Sequence, residues 1–287
     1  MGAIFEREFK SYFKSITGYV FVAFVLLFAG IYTVAVNLFG GVANFEYVFG
    51  NMSIVYLLGI PVLSMRCFAE ERGSKTDQLL YALPMGMTKI VLGKYLAMLA
   101  VLALPLLVLC IYPLILSLFG SVYFLTAYSS IFAYFLLGAA LISGGMFFSS
   151  LTENQIIAAV MTLVAVLLNY YGAALASLLP ATAFASFMAF SIIILIVGLV
   201  IGFITKNVIF GSGAFLVLEG ILTGLYLWKQ AAFESLFLTV MQETCLFNRL
   251  YTFINGTFDI TAVVLYLAVI VVFVYLTVQS LEKRRWS

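Results

Sequence analysis

Side chains that could take part in chemistry or binding are concentrated in one stretch, Arg66–Lys94, between two long apolar segments. The eight charged residues of this stretch are Arg66, Glu70, Glu71, Arg72, Lys75, Asp77, Lys89 and Lys94. Its only adjacent carboxylates, Glu70 and Glu71, lie in a polar loop rather than a cleft, so acid–base catalysis is not indicated. A loop rich in Lys and Arg between membrane spans is typical of the cytoplasmic side. We therefore interpret it as a surface that binds a soluble partner.

The rest of the sequence argues against an enzyme. There is no histidine, which removes the commonest general base and metal ligand. No GxxxxGK[ST] phosphate loop occurs, and the 3 cysteines are far apart, so a disulfide framework or zinc site is not expected. We expect no catalytic residue, no metal and no cofactor in this chain.

Composition places the chain in a membrane. Of its 287 residues, 65% are hydrophobic and 9% are charged, and the mean hydropathy is +1.19. A soluble domain carries roughly 25% charged residues. The net charge of +2 is too small to indicate nucleic-acid binding.

The apolar segments predict an all-α polytopic fold with about eight transmembrane helices, because a bilayer core needs roughly 20 apolar residues per helix. Two charge-free runs, 95–152 and 154–205, are too long for one helix each and divide near 117–126 and 177–180. The predicted spans are Thr17–Phe39, Tyr47–Met65, Tyr95–Leu118, Ala127–Ser149, Ile156–Leu178, Phe184–Thr205, Val208–Trp228 and Ile260–Ser280. All belong to one transmembrane domain, 1–287.

Charge distribution predicts the topology. With eight spans and both termini in the cytoplasm, 12 of the 14 Lys and Arg residues lie inside, and only Lys229 and Arg249 lie outside. Adding or losing one span would scatter the basic residues over both faces.

Two segments flank the spans. Residues 4–16 alternate apolar and charged positions at helical spacing, which predicts an amphipathic helix in the headgroup region, with a plain cytoplasmic extension as the alternative (1–16). Residues 230–257 form the largest outer segment and fit either an interfacial helix or an ordinary loop.

Within the charged stretch, Glu70–Leu83 has apolar and polar positions at helical spacing and is followed by Pro84, which ends a helix. Such a helix between spans two and three could transmit a push from a partner. A solvated loop that only carries positive-inside charge is the alternative.

Three strings in the sequence carry a resemblance: RCFAEERGSKTDQLLYALP (66–84), KIVLGKYLA (89–97) and SLTENQI (150–156). They resemble the permease subunits of ABC type-2 exporters, and most closely the gliding-motility permease (GldF-like) family. NGTFDI (255–260) and LEKRRW (281–286) also fit that family's last span. Members have about six spans, so residues of about Pro180–Leu246 look like an inserted extra pair.

The resemblance implies a cytoplasmic coupling loop (66–94) that docks onto a separate ATP-binding cassette ATPase, which would hold the ATP and magnesium. The docking residues it implies are Glu70, Glu71, Arg72, Ser74, Lys75, Asp77, Gln78, Leu79, Leu80 and Leu83. It also implies a second permease chain, as a homodimer or a related subunit, in the lipid of a bacterial inner membrane.

One carboxylate, Glu219, lies in the middle of a predicted span. An ionisable group there is costly and needs a partner or a cavity. It could contact a substrate or ion, or form a hydrogen bond between helices.

We therefore expect the transmembrane permease subunit of an ATP-driven exporter. The alternatives are an ion-coupled secondary transporter, for which Glu219 is the only candidate residue and no inverted repeat is found, and a membrane assembly protein without a transport path.

Overall fold

A computed structural model describes residues 2–76, 86–178, 180–205 and 208–285; the side chains at 197, 200–205, 208–211, 214 and 285 are outside the description. Every regular element among the described residues is helical. The α-helices are α1 Gly2–Lys14, α2 Ile16–Thr33, α3 Glu46–Met52, α4 Val55–Ser64, α5 Arg66–Gly73, α6 Met87–Leu109, α7 Tyr112–Leu116, α8 Phe124–Leu151, α9 Gln155–Ser177, α10 Ala183–Thr205, α11 Val208–Trp228, α12 Leu236–Thr244, α13 Leu246–Ile254 and α14 Ile260–Arg285. A π-helical turn, Val34–Phe39, extends α2, and a 3₁₀ turn, Gln230–Phe233, follows α11.

Five helical segments of the described residues are long and apolar enough to cross a membrane. A sixth is counted if α3 and the helical stretch Val55–Gly73, which meet at a bend of 67°, form one broken span. Two shorter apolar stretches, Ala183–Ile196 and Phe215–Trp228, lie in α10 and α11. The chain is therefore a helical, polytopic membrane protein. The count gives five or six candidate spans, whereas the sequence predicts about eight.

The predicted breaks in the charge-free runs are confirmed. The first run is interrupted between Leu116, where α7 ends, and Phe124, where α8 begins. The second run is interrupted between Ser177 and Ala183. At the polar point between these runs, the Asn154 side chain accepts a hydrogen bond from the Ile156 amide (2.8 Å) and so caps the start of α9.

The chain folds into two compact units, residues 1–168 with 249–287, and residues 169–248. The second unit includes all of the region of about Pro180–Leu246 that the sequence marked as an inserted pair. It contains α10, α11 and α12, with an edge-to-face contact between Phe190 and Phe237 (5.4 Å) and a tilted contact between Phe187 and Tyr226 (4.8 Å).

The first unit is organised around α8, most of whose residues are buried and which packs against α3, α4, α5, α6 and α14. Small residues let these helices approach closely. Two fully buried tyrosines join α8 to α4: the rings of Tyr56 and Tyr134 stack at 4.2 Å. Each hydroxyl donates to a carbonyl, Tyr56 to Tyr134 (3.0 Å) and Tyr134 to Met52 (3.1 Å), so neither buried phenol lacks a partner.

The N-terminal residues predicted as an amphipathic helix form α1, which packs against α2 and α6. Ile4 and Tyr12 are its buried residues. The Tyr12 hydroxyl donates to the Leu63 carbonyl (3.2 Å), and burial raises the pKa of this phenol well above its usual value, so it stays a donor. Residues 230–257, for which helix and loop were both open, form the 3₁₀ turn, α12 and α13.

Candidate functional site

Charged side chains from α1, α5 and α6 meet at one end of the first unit. We call the group Arg7, Glu8, Glu71 and Lys94 the Lys94 cluster. The Lys94 ammonium lies 2.9 Å from Glu71 Oε2 and 3.3 Å from Glu8 Oε2. The Arg7 guanidinium reaches the same carboxylates, at 2.6 Å from Glu8 and 3.1 Å from Glu71. Two cations and two carboxylates therefore balance each other.

Burial makes this cluster more than a surface ion pair. The Lys94 side chain is 2% exposed, whereas Glu8 and Glu71 are 15% and 20% exposed. The ammonium also donates to the Cys67 carbonyl (2.9 Å) and lies 5.2 Å from the centre of the Phe68 ring. A buried charge needs such a set of partners, since removing it from water is costly.

The position of Arg7 differs, because its side chain is 58% exposed. Its hydrogen bond to Glu8 raises the Arg7 pKa, so it stays charged at every accessible pH. The contacts of Arg7 hold α1 against α5 at the water-exposed edge of the cluster.

A second buried contact fixes the end of α5 against the end of α8. Arg72 is 5% exposed, and its guanidinium donates to the Ser150 carbonyl (2.6 Å) and lies 3.3 Å from Glu153. Close by, Gly73 leaves so little room that a Cβ atom would come within 2.9 Å of the Glu153 carbonyl oxygen. The α5–α8 connection is thus set by a bound guanidinium and a close backbone approach.

Arg66 and Glu70 complete the arrangement on the other side of α5. They form a two-point ion pair with nitrogen–oxygen distances of 2.7 and 2.8 Å, one helical turn apart. Arg66 also donates to the Thr17 hydroxyl (2.7 Å), which attaches α5 to α2.

The start of α5 is capped by a side chain from a different helix. The Ser149 hydroxyl of α8 accepts the amides of Phe68 and Ala69 (3.1 Å each) and donates to the Met65 carbonyl (3.0 Å). Helix-start amides have no partner within their own helix, so this one hydroxyl satisfies two buried donors.

We expect Ser149→Ala to lower the free energy of unfolding by about 1–2 kcal/mol, since two buried amides lose their acceptor. The measurement is denaturant unfolding of the full chain in detergent. Ser150→Ala is the matched control, because the Ser150 hydroxyl donates only to Phe147 in its own helix (2.7 Å) and its carbonyl remains available to Arg72. Equal losses in the two variants would contradict the capping role.

The predicted docking residues fall into three groups in the structure: residues engaged within the chain, exposed residues, and residues outside the description. The helix expected to begin at Glu70 instead begins at Arg66 and ends at Gly73, because Lys75 has a positive φ of 57° that an α-helix does not allow. Glu70, Glu71 and Arg72 are engaged within the chain, whereas Ser74 and Lys75 are exposed. Five predicted docking residues lie outside the described residues: Asp77, Gln78, Leu79, Leu80 and Leu83.

Glu219, which the sequence predicts in the middle of a span, lies in α11 of the second unit and contacts the neighbouring helix. Ser191 of α10 donates to Glu219 Oε1 (2.6 Å), and Thr223 donates to the Glu219 backbone carbonyl (2.8 Å). The hydrogen bond between helices, one of the two roles considered for this residue, is therefore present.

Sequence reasoning missed Glu8 and Ser149. Glu8 could have been found, because it lies one helical turn from both Ile4 and Tyr12 and so carries a carboxylate on the apolar face of α1. A charge in that position indicates a buried partner of opposite sign. No comparable signal marks Ser149, whose neighbours along the chain are not its binding partners.

No protein-family model, no curated protein and no solved structure matches this chain. The resemblance to ABC type-2 permeases accordingly stays a prediction. Among the described residues, no group of three or more His, Cys, Asp and Glu side chains could hold a metal.

Proposed function

We propose that this chain is the membrane permease subunit of an ATP-driven, type-2 exporter, coupled to a separate ATP-binding subunit. The observation that supports this most is the attachment of α5 to α6, α8 and α1 through the charged side chains of Glu71 and Arg72. A force applied to the exposed turn at Ser74–Thr76 would reach α6 through Lys94, α8 through Arg72 and α1 through Glu71. Rigid transmission of this kind is what a coupling element between spans requires.

In this proposal the eight-span topology with both termini in the cytoplasm is retained. It is supported by the five long apolar segments, the bent pair and the two shorter apolar stretches. The docking surface is the exposed turn at Ser74–Lys75 together with residues 77–83, whereas Glu70, Glu71 and Arg72 hold that surface in position. The bacterial inner membrane and a second permease chain belong to the same proposal.

The mechanism follows from this division of labour. Nucleotide-driven closure of two partner subunits would draw the coupling elements of two permease chains together and tilt the spans attached to them. The path between the permease chains would then open to the other side, and all ATP chemistry would take place in the partner.

The test is purification of the full chain from its native membrane in mild detergent, followed by an assay of ATP hydrolysis in the eluate. We expect co-eluting ATPase activity, and we expect Lys75→Glu to lower it about tenfold or more, because a reversed charge at the interface opposes association. Lys229→Glu is the matched control, since it reverses an exposed lysine on the predicted outer face.

An eluate of the unmodified chain without ATPase activity would overturn the proposal. Equal loss in Lys75→Glu and Lys229→Glu would show instead that docking does not involve the Ser74–Lys75 turn.

A further inference from the structure

The connection between α2 and α3 contains a buried polar group that the proposed function does not use. It consists of Asn37 in the π-helical turn, Asn44 in the loop, and Glu46 at the start of α3; we call it the Glu46 group. Asn37 and Glu46 are 6% and 2% exposed. A carboxylate removed this completely from water needs a compensating partner.

Hydrogen bonds fix the orientation of both amides in the Glu46 group. The Asn37 side-chain nitrogen donates to the carbonyls of Val42 (2.6 Å) and Asn44 (3.1 Å). Because only the nitrogen can donate to a carbonyl, Asn37 Oδ1 must face the opposite way. The Asn44 nitrogen in turn donates to Glu46 Oε1 (2.7 Å).

Two buried oxygens are left over. Within the part of the chain that the structure describes, neither Asn37 Oδ1 nor Glu46 Oε2 receives a hydrogen bond. None of the ion pairs found among the described residues includes Glu46. The group therefore has two buried acceptor oxygens that receive no hydrogen bond from the described residues.

The residue between Asn44 and Glu46 packs among aromatic rings. Phe45, between Asn44 and Glu46, is fully buried against Tyr112 (5.5 Å between ring centres) and Phe49 (5.2 Å). The low polarity of such surroundings strengthens the attraction between the carboxylate and any cation that reaches it.

The donor set decides the class of ligand. Calcium takes six to eight oxygens, usually from several carboxylates, and magnesium retains several waters, whereas this group offers one carboxylate and a neutral amide oxygen. Soft metals would need thiolate or imidazole ligands. We propose that Asn37 Oδ1 and Glu46 Oε2 bind a small hard monovalent cation of the sodium class. This proposal is independent of the proposed exporter function.

The experiment is thermal unfolding of the full chain in detergent, with sodium, potassium or choline chloride at one total salt concentration. A ligand that binds only the folded state raises the unfolding temperature in a saturable manner. We expect a saturable shift with sodium, a smaller one with potassium and none with choline. Glu46→Gln, which keeps the shape and removes the charge, should abolish the sodium-dependent shift.

Asn51→Ala is the matched control, because Asn51 lies at the exposed surface of the same helix and its amide contacts only the Tyr47 carbonyl (3.3 Å). It should keep the full sodium-dependent shift. If Glu46→Gln does not fold, Glu46→Asp preserves the charge but withdraws the carboxylate, and it should weaken sodium binding about tenfold or more.

Two results would overturn the sodium site. One is an unmodified chain whose unfolding temperature is the same in sodium and choline. The other is a Glu46→Gln or Glu46→Asp variant that keeps the sodium-dependent shift of the unmodified chain. A Glu46→Gln variant more stable than the unmodified chain in every salt would show that water or a proton satisfies the carboxylate instead.

Discussion

Lys94→Met is expected to lower the free energy of unfolding by about 3–5 kcal/mol, the largest effect of any single substitution in the Lys94 cluster. The substitution keeps an apolar side chain of similar length, so the loss comes from the charge. It would leave Glu71 and Glu8, both mostly buried, with Arg7 as the only cation of the cluster. Denaturant unfolding of the full chain in detergent measures this loss.

A matched control and a second variant distinguish charge from packing. Lys89→Met changes an exposed lysine in the first turn of the same helix and should be close to neutral. Adding Glu71→Gln to Lys94→Met restores a neutral cluster of Arg7 and Glu8, so the double variant should be more stable than Lys94→Met alone. A double variant less stable than Lys94→Met would show that the carboxylate of Glu71 has a role beyond pairing with Lys94.

Gly145→Val is expected to lower the free energy of unfolding by about 1–3 kcal/mol or to prevent stable expression. A Cβ atom at Gly145 would lie 2.7 Å from the Ser64 Cβ and 3.0 Å from the Thr162 Cγ2. Ser64 is in α4 and Thr162 in α9, so any side chain here forces two helices away from α8. The measurement is the amount of folded chain in membranes, together with its unfolding curve in detergent.

The adjacent glycine gives a control in the same helix. A Cβ atom at Gly144 would meet only the Phe273 ring, at 3.8 Å, which is an ordinary contact distance. Gly144→Ala should therefore be tolerated, and Gly145→Ala should not. Equal stability of these two alanine variants would contradict the close packing of α4, α8 and α9.

In the proposed exporter, force on α5 would pass to the neighbouring helices, and the Lys94 and Gly145 variants probe the helix packing that this requires. Lys94 joins α6 to α5 and α1, Gly145 lets α4 and α9 approach α8, and both variants can be measured without a transport assay. A variant with lower stability but unchanged co-elution of the proposed ATPase would show that docking does not depend on this helix packing.

Much of the architecture was determined by the sequence alone. Charge-free runs longer than one span must contain a break, and the breaks at 117–126 and 177–180 lie where α7 gives way to α8 and α9 to α10. Amphipathic spacing in residues 4–16 indicated α1 for the same reason, since the helical period is a property of neighbouring residues. Local pattern was sufficient for these elements.

The partners of the charged residues were decided only by the tertiary structure. The sequence presented Glu70, Glu71 and Arg72 as docking groups, whereas folding pairs them with Arg66, Lys94 and the Ser150 carbonyl. Apart from Arg66 and Glu70, which are one helical turn apart, such contacts join residues up to 86 positions apart, as in Lys94 and Glu8, and no periodicity along the chain encodes which helices become neighbours. Hydropathy determines which segments avoid water. The packing of side chains between helices determines which charged residues become ion-pair partners.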